Sequence, residues 1–297
     1  MNEFERFEKF KAFTPVRRSE LPPGVKPITT TWAFKRKANG VRRGRLNARR
    51  FEQIDGVHYS AQDIAAPVTN PFTVRVLLDL LCMNPKWISR IVDVEGAFLQ
   101  GKFENGEVIY SEVPDGMEEC YGPKQDWVLL MNVPVYGTKQ ASACFYKALV
   151  RQNKSRGYQC SMADTTLYFI VRDGRLSCFV SWVDDMIIFG EEQDVAVIEA
   201  DLLKSFVAKS EGEMKEYVGN KIELTRDPVT GLRKAKFTQP VLIQKLRDML
   251  GEAEASKRVP RTPAKPGEVL HKGEGLKPLE PDEATDFRSM VLHSLCT

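Results

Sequence analysis

Three histidines, His58, His271 and His293, are all that this chain of 297 residues contains, and its six cysteines include no CxxC pair. Ordinary zinc-site spacing is therefore excluded. Cys82, Cys144 and Cys178 lie inside apolar patterns and read as buried free thiols of a reducing compartment rather than as a disulfide framework. No apolar run approaches membrane-spanning length, and the amino-terminal stretch MNEFERFEKFKAF is charged throughout, without the apolar core of a secretory leader. The expectation is an intracellular protein with no readable targeting signal and no membrane partner. Charge is balanced overall, 43 Lys plus Arg against 40 Asp plus Glu, but acidic residues are wholly absent from Leu21 to Phe51.

Into that stretch fall Lys26, Lys35, Arg36, Lys37, Arg42, Arg43, Arg45, Arg49 and Arg50. Asn39-Gly40 is the strongest short-range hairpin signal, so two basic strands are expected to fold on each other. A guarded edge hairpin normally mixes signs and prefers Lys. Arg dominates here, and its planar fork suits bidentate contact with phosphate oxygens.

Downstream, NPFTVRVLLDLLCM predicts a helix capped by Asn70 with Pro71 at its first position, and Val74, Leu77, Leu78 and Leu81 on one face. Trp87 to Val94 is β-branched and apolar, a strand that delivers Asp93 to its tip. A helix is expected over 138–156, with Ala141, Cys144, Phe145, Ala148 and Leu149 inward and Gly157 closing it. TTLYFIVRDGRLSCFVSWVDDMIIFG then predicts an antiparallel meander with turns at Asp173-Gly174 and Asp184-Asp185. A helix through Val195, Ile198, Leu202 and Phe206, a strand in EYVGNKIELTRD and a helix through Leu242, Leu246 and Leu250 follow. The Pro/Gly/Lys-rich run beyond reads as an extended connector, and the chain as a fragment of something longer. The centre is a split βαβ arrangement, an α+β fold with helices on one face of an antiparallel sheet.

Asp184 and Asp185 sit between apolar runs, where an Asp pair would otherwise be a bland polar turn. With Asp93 brought near by neighbouring strands, three carboxylates would repel unless divalent metal neutralised them. Two Mg²⁺ ions held by Asp and by substrate phosphates are the usual arrangement for in-line phosphoryl transfer, and the basic hairpin would balance a triphosphate.

The motifs WAFKRKANG, RLNARRFEQIDGVHYS, APVTNPFTVRVLL, IVDVEGAFLQGKFENGEVIYSEVPDG, VPVYGTKQA, WVDDMIIFG and YVGNKIE occur in the order found in one family. The chain resembles the reverse transcriptase of Ty1/copia-type long-terminal-repeat retrotransposon Pol polyproteins. The likeness implies a right-hand polymerase: 1–75 as the amino-terminal segment and fingers, 76–101 as the first part of the palm, 102–140 as more fingers, 141–226 as the rest of the palm, and 227–297 as an incomplete thumb and connection. It implies RNA-directed DNA polymerase activity with two Mg²⁺ ions, replaceable by Mn²⁺. Asp93, Asp184, Asp185 and the carbonyl of Val94 would bind metal. Lys35, Lys37, Arg45, Arg49, Phe98 and Gln140 would contact the deoxynucleotide, Phe98 as a gate against a ribose 2′-hydroxyl. Trp182, Tyr217 and Gly219 would meet primer or template, and Lys215 would protonate pyrophosphate.

Implied partners are an RNA or DNA template with its primer, deoxynucleotides, and the integrase and ribonuclease H parts of the same polyprotein; the implied site of action is a cytoplasmic virus-like particle. Trp182 stands where the family more often has Tyr. Two other readings are open from the residues: a decayed element that binds nucleic acid without polymerising, and a palm-like nucleotide cyclase, in which the basic hairpin would have no task.

Overall fold

A computed structural model describes residues 3–36, 40–217, 219–250 and 280–295. Lys37, Asn39 of the expected hairpin turn, and the expected connector over 251–279 lie outside them. The chain divides into two compact units: Met1–Met214 with Asp227–Arg233, and Lys215–Arg226 with Lys234–Thr297.

In the first unit, a helix α1 (Glu3–Lys9) and a strand β1 (Phe13–Arg17) precede the basic hairpin, whose strands are β2 (Thr30–Arg36) and β3 (Arg42–Ala48). Then come α2 (Pro71–Met83), β4 (Trp87–Val94), β5 (Tyr110–Glu112), the short α3 (Glu118–Tyr121), β6 (Trp127–Met131) and α4 (Ala141–Ser155). The unit closes with β7 (Gln159–Cys160), β8 (Leu167–Arg172), β9 (Arg175–Trp182), β10 (Asp185–Glu191), α5 (Glu192–Ser205) and β11 (Ala208–Gly212).

Six of these strands form an antiparallel sheet in the order β11-β4-β10-β9-β8-β7. One face carries Val92, Met186, Ile188, Phe179 and Tyr168, buried against Phe145 and Leu149 of α4 and Val195, Ile198 and Leu202 of α5. The reverse face carries Ile91, Ile187, Val180 and Phe189, also buried. Both faces being dry explains why these strands read as continuous apolar runs rather than as an alternation. The expected meander is present as β8-β9-β10 within this wider sheet, and helices do pack on one of its faces.

Short-range signals match the structure where the chemistry is local. Asn70 accepts from the Phe72 amide at 2.9 Å with Pro71 at the first helical position. Asp173 and Gly174 both have positive φ, +49° and +74°, and join β8 to β9 as a two-residue turn. Gly157, at φ +83°, follows α4. A second sheet has the order β1-β6-β5: β5 and β6 fall in the apolar runs GEVIYSEVPDG and WVLLMNVPVYGTKQ, which read as short strands, but the pairing of β1 with β6 from far along the chain was not expected. This sheet shelters a separate cluster that includes Phe7, Phe13, Leu129 and Met131.

The second unit holds a three-stranded sheet, β12 (Glu216–Tyr217), β13 (Asn220–Arg226) and β14 (Arg233–Thr238), and the helices α6 (Pro240–Leu250) and α7 (Pro281–Leu295). Among the described residues no helix is long and apolar enough to cross a membrane.

Candidate active site

Sheet pairing turns residues far apart in sequence into one row. Asp93 on β4 is the direct cross-strand partner of Asp185 on β10; beyond Asp93 the partner is Lys209 on β11, and beyond Asp185 it is Trp182 on β9. Directly opposed residues of antiparallel strands project from the same face. Lys209, Asp93, Asp185 and Trp182 thus stand side by side across four strands.

Asp184 occupies the turn. β9 ends at Trp182 and β10 begins at Asp185, so the turn residues are Val183 and Asp184, one position earlier than the sequence suggested. Val183 has φ +55°, whereas Asp184 is not among the residues with positive φ, the pattern of a type II′ turn. Glycine is usual at that position, and a β-branched residue there stores about 1–3 kcal/mol of strain. Val183 packs against the core cluster, and the Val94 amide donates to the Asp184 carbonyl at 2.7 Å, so packing and β4 hold the turn in place. The two aspartates consequently leave the chain in different directions, one from a strand face and one from a turn.

Burial is the main cause that pushes the Asp185 carboxyl up to about 6, and the charges of Asp184, Asp93 and Glu211 add to it against the opposing pull of Lys209. Asp93 is raised by burial as well, with Lys209 pulling it down and Glu211 and Asp184 pushing it up. The Lys209 ammonium lies 3.7 Å from Asp93 Oδ2 and 2.7 Å from Glu211 Oε1.

A folded-state value above the ordinary carboxylate value means that the native protein binds the Asp185 proton more tightly than the unfolded chain does. Stability therefore falls as pH rises from about 4 to about 6. Thermal unfolding in EDTA should show this loss, and saturating Mg²⁺ should flatten it. Carboxylates held below their ordinary value, such as Asp164, gain stability over the same window, so the check is the difference from Asp185→Asn, and a difference that stays flat with pH in EDTA would contradict the placement of Asp185.

Among the described residues no three His, Cys, Asp or Glu side chains stand closed around one point. The row nonetheless offers only oxygen donors, with Asp93, Asp184, Asp185 and Glu211 set against the cation Lys209. That donor set suits a hard divalent ion such as Mg²⁺ or Mn²⁺, which would reverse the elevation of Asp93 and Asp185. Asp93 and Asp185, with Asp184 beside them, could hold one after side-chain rotation.

Asp93 and Asp184 line a cleft of about 960 Å³, whose lining also includes Trp32, Arg42, Arg43, Lys209 and Glu211, while Asp185 stands behind Asp93 in the row. Lys35 and Arg49 are exposed and are not among the residues that line it. Arg45 lies with its guanidinium 4.3 Å from the centre of the Tyr136 ring, and Tyr136 meets Phe98 edge-on at 5.4 Å. Burial raises the Tyr136 hydroxyl pKa, with Arg45 opposing and Asp184 adding to the shift. Arg45, Tyr136 and Phe98 therefore form one aromatic and cationic chain near the acids.

Gln140 is 2 % exposed, and both ends of its amide are engaged: Nε2 donates to the His58 carbonyl at 2.8 Å, and Oε1 accepts from Gln53 at 3.0 Å. Its side chain clamps the 53–58 loop to the start of α4. Lys215, Tyr217 and Gly219 belong to the second unit. There Tyr217 is buried, and Gly219, at φ +77°, sits in the turn between β12 and β13. Sequence reasoning passed over Lys209, Glu211 and Tyr136. The first two lie in AKSEG, which is too polar and too short to signal a strand.

Residues 13–253 match the family described as reverse transcriptase (RNA-dependent DNA polymerase). The chain belongs to this reverse transcriptase family. It is 32% identical over 225 residues to the retrovirus-related Pol polyprotein from transposon TNT 1-94 of Nicotiana tabacum, covering 73% of this chain and 16% of that polyprotein. Identity to the corresponding polyproteins from transposons RE2 and RE1 of Arabidopsis thaliana is 28% and 27%, over 70% and 91% of this chain and 14% and 18% of theirs. The chain thus spans under a fifth of the length of these relatives. The copia-type likeness read from its motifs is borne out, and the reverse transcriptase domain is the part of Pol that it represents.

Proposed function

We propose that the chain is a right-hand polymerase module that extends a primer 3′ end with deoxynucleotides on an RNA or DNA template. The observation that carries this reading is the direct opposition of Asp93 and Asp185, with Asp184 in the adjoining turn. Fingers would comprise 1–75 and 102–140, palm 76–101 and 141–226, and an incomplete thumb and connection 227–297. The basic hairpin over the cleft supports the fingers assignment. Bound Mg²⁺ or Mn²⁺ would supply charge neutralisation and activation of the primer hydroxyl.

Asp93, Asp184 and Asp185 are proposed to hold that metal, with the Val94 carbonyl as a further oxygen. Arg42 and Arg43, which line the cleft, are better placed toward the acids than Lys35 or Arg49, and Arg45 would act through the Tyr136 ring. Gln140 would act by fixing the 53–58 loop. Trp182 ends the acid row on the β9 side and would lie against the primer; Tyr217 and Gly219 would form a primer contact from the second unit. Lys209 reaches Asp93, and Lys215 of the second unit is proposed, as the resemblance implies, to protonate pyrophosphate. Integrase and ribonuclease H parts of the same polyprotein are the expected partners.

Primer extension on poly(rA)/oligo(dT) with Mg²⁺ or Mn²⁺ tests the reading. A folded, template-binding protein that never extends the primer would instead be a remnant that only binds nucleic acid. The sugar gate is tested separately. The half-buried ring of Phe98 is held edge-on by Tyr136, and Phe98→Ala should raise ribonucleotide incorporation relative to deoxynucleotide by about 10-fold or more, since removing a steric clash is worth upward of about 1.4 kcal/mol. Unchanged sugar discrimination would remove Phe98 from this role.

A further inference from the structure

Lys209 is the cation of the acid row, and two features of β11 set its position. It is the cross-strand partner of Asp93, and immediately after it the ladder slips between Ser210 and Gly212, so that Gly212 rather than Glu211 pairs with Ile91. Glu211 is the extra residue of a bulge, a device that re-aims a side chain beside a site. Here it delivers the Glu211 carboxylate to the Lys209 ammonium at 2.7 Å, while Asp93 lies at 3.7 Å from the same nitrogen.

We infer that Lys209 is a resident counter-ion of the carboxylate row: its ammonium shares Asp93 with any divalent metal, and Glu211 is the anchor that takes it when metal binds. The inference rests on the proposal that Asp93 and Asp185 hold metal. The distances give the direction of the exchange, because the contact with Asp93 is the looser of the two. The lysine side chain is 65% exposed, so swinging from a shared position to Glu211 alone disturbs no packing. Two cations cannot occupy Asp93 without mutual repulsion, and the bulge supplies a place for the displaced one.

The test measures Mn²⁺ binding to the full chain, without nucleotide or nucleic acid, from the electron paramagnetic resonance signal of free Mn²⁺. Lys209→Met should bind Mn²⁺ about 3- to 10-fold more tightly than the wild type, the range for removing one partly screened charge at this distance. Lys209→Arg, which keeps the charge, should stay near wild type. Glu211→Gln should weaken binding, and that weakening should shrink in the Lys209→Met background if Glu211 acts through the lysine. In a second readout, the ¹³C-methyl signal of reductively methylated Lys209 should move on addition of Mg²⁺ and stay still in Asp93→Asn. Wild-type binding that is unchanged or weaker in Lys209→Met would overturn the counter-ion assignment and leave the metal reading standing. No Mn²⁺ binding by any folded variant would overturn both.

Discussion

Asp184→Asn/Asp185→Asn is expected to lose primer extension by at least about 10³-fold while melting no lower than the wild type. The loss follows from removing two of the three carboxylates proposed to hold the metal, since charge stabilisation focused on a reacting phosphate is the main source of rate acceleration in such a site. The retained stability follows from the electrostatics of the same row. Burial and the neighbouring charges of Asp184, Asp93 and Glu211 make the Asp185 carboxylate unfavourable, and an amide of the same shape relieves that repulsion. Above about pH 6, where Asp185 is ionised, the double variant should melt at or above the wild-type temperature in EDTA. Extension that persists in the double variant would sink the catalytic reading. A lowered melting temperature with lost activity would mean that these acids are structural.

Gly137→Ala is expected to destabilise the protein by about 2–4 kcal/mol, through two causes that act together. Gly137 has φ +88°, where an L side chain is strained, and a Cβ there would lie 2.3 Å from the Ala48 carbonyl oxygen and 2.9 Å from its nitrogen. Those are backbone atoms of β3, and the Ala48 amide donates to the Tyr136 carbonyl at 2.7 Å in the same place. Relief requires the hairpin strand and the loop before α4 to part, which also moves Tyr136 from beneath Arg45. Urea unfolding should show a lower midpoint with an unchanged slope. Stability within about 0.5 kcal/mol of the wild type, an ordinary surface effect, would show that the two segments separate freely.

What could be read from the sequence is what short-range chemistry dictates. Asn70 and Pro71 mark the start of α2, Asp173-Gly174 makes its turn, and the inward stripes of α4 and α5 follow the helical period. Asp93 at a strand end was legible because Trp87–Val94 is β-branched. The turn at Val183 was misplaced by one residue because a β-branched residue with positive φ contradicts its own local preference and is held by packing from elsewhere. Pairing of β1 with β6 left no local trace. The fate of Gln140 was equally hidden, since its two partners, Gln53 and the His58 carbonyl, come from a loop with no periodicity. Lys209 and Glu211 were invisible for a related reason: a bulged polar edge strand looks like a solvated loop until its neighbour is known.

The central place of β4 between β11 and β10 also orders events during synthesis. The ribosome delivers β4 early, yet both of its hydrogen-bonding neighbours are encoded after α4, so this apolar strand must wait with two open edges while the intervening chain is made. The β1-β6-β5 sheet has all its strands by Met131 and can close first. Such long-range pairing is slow and exposes the waiting strand to aggregation, which makes β4 the segment most in need of a chaperone on the nascent chain. The row of acids comes into being only when β10 and then β11 dock, so a product that stalls before them cannot carry it, and the proposed metal site is the last feature of the central sheet to form.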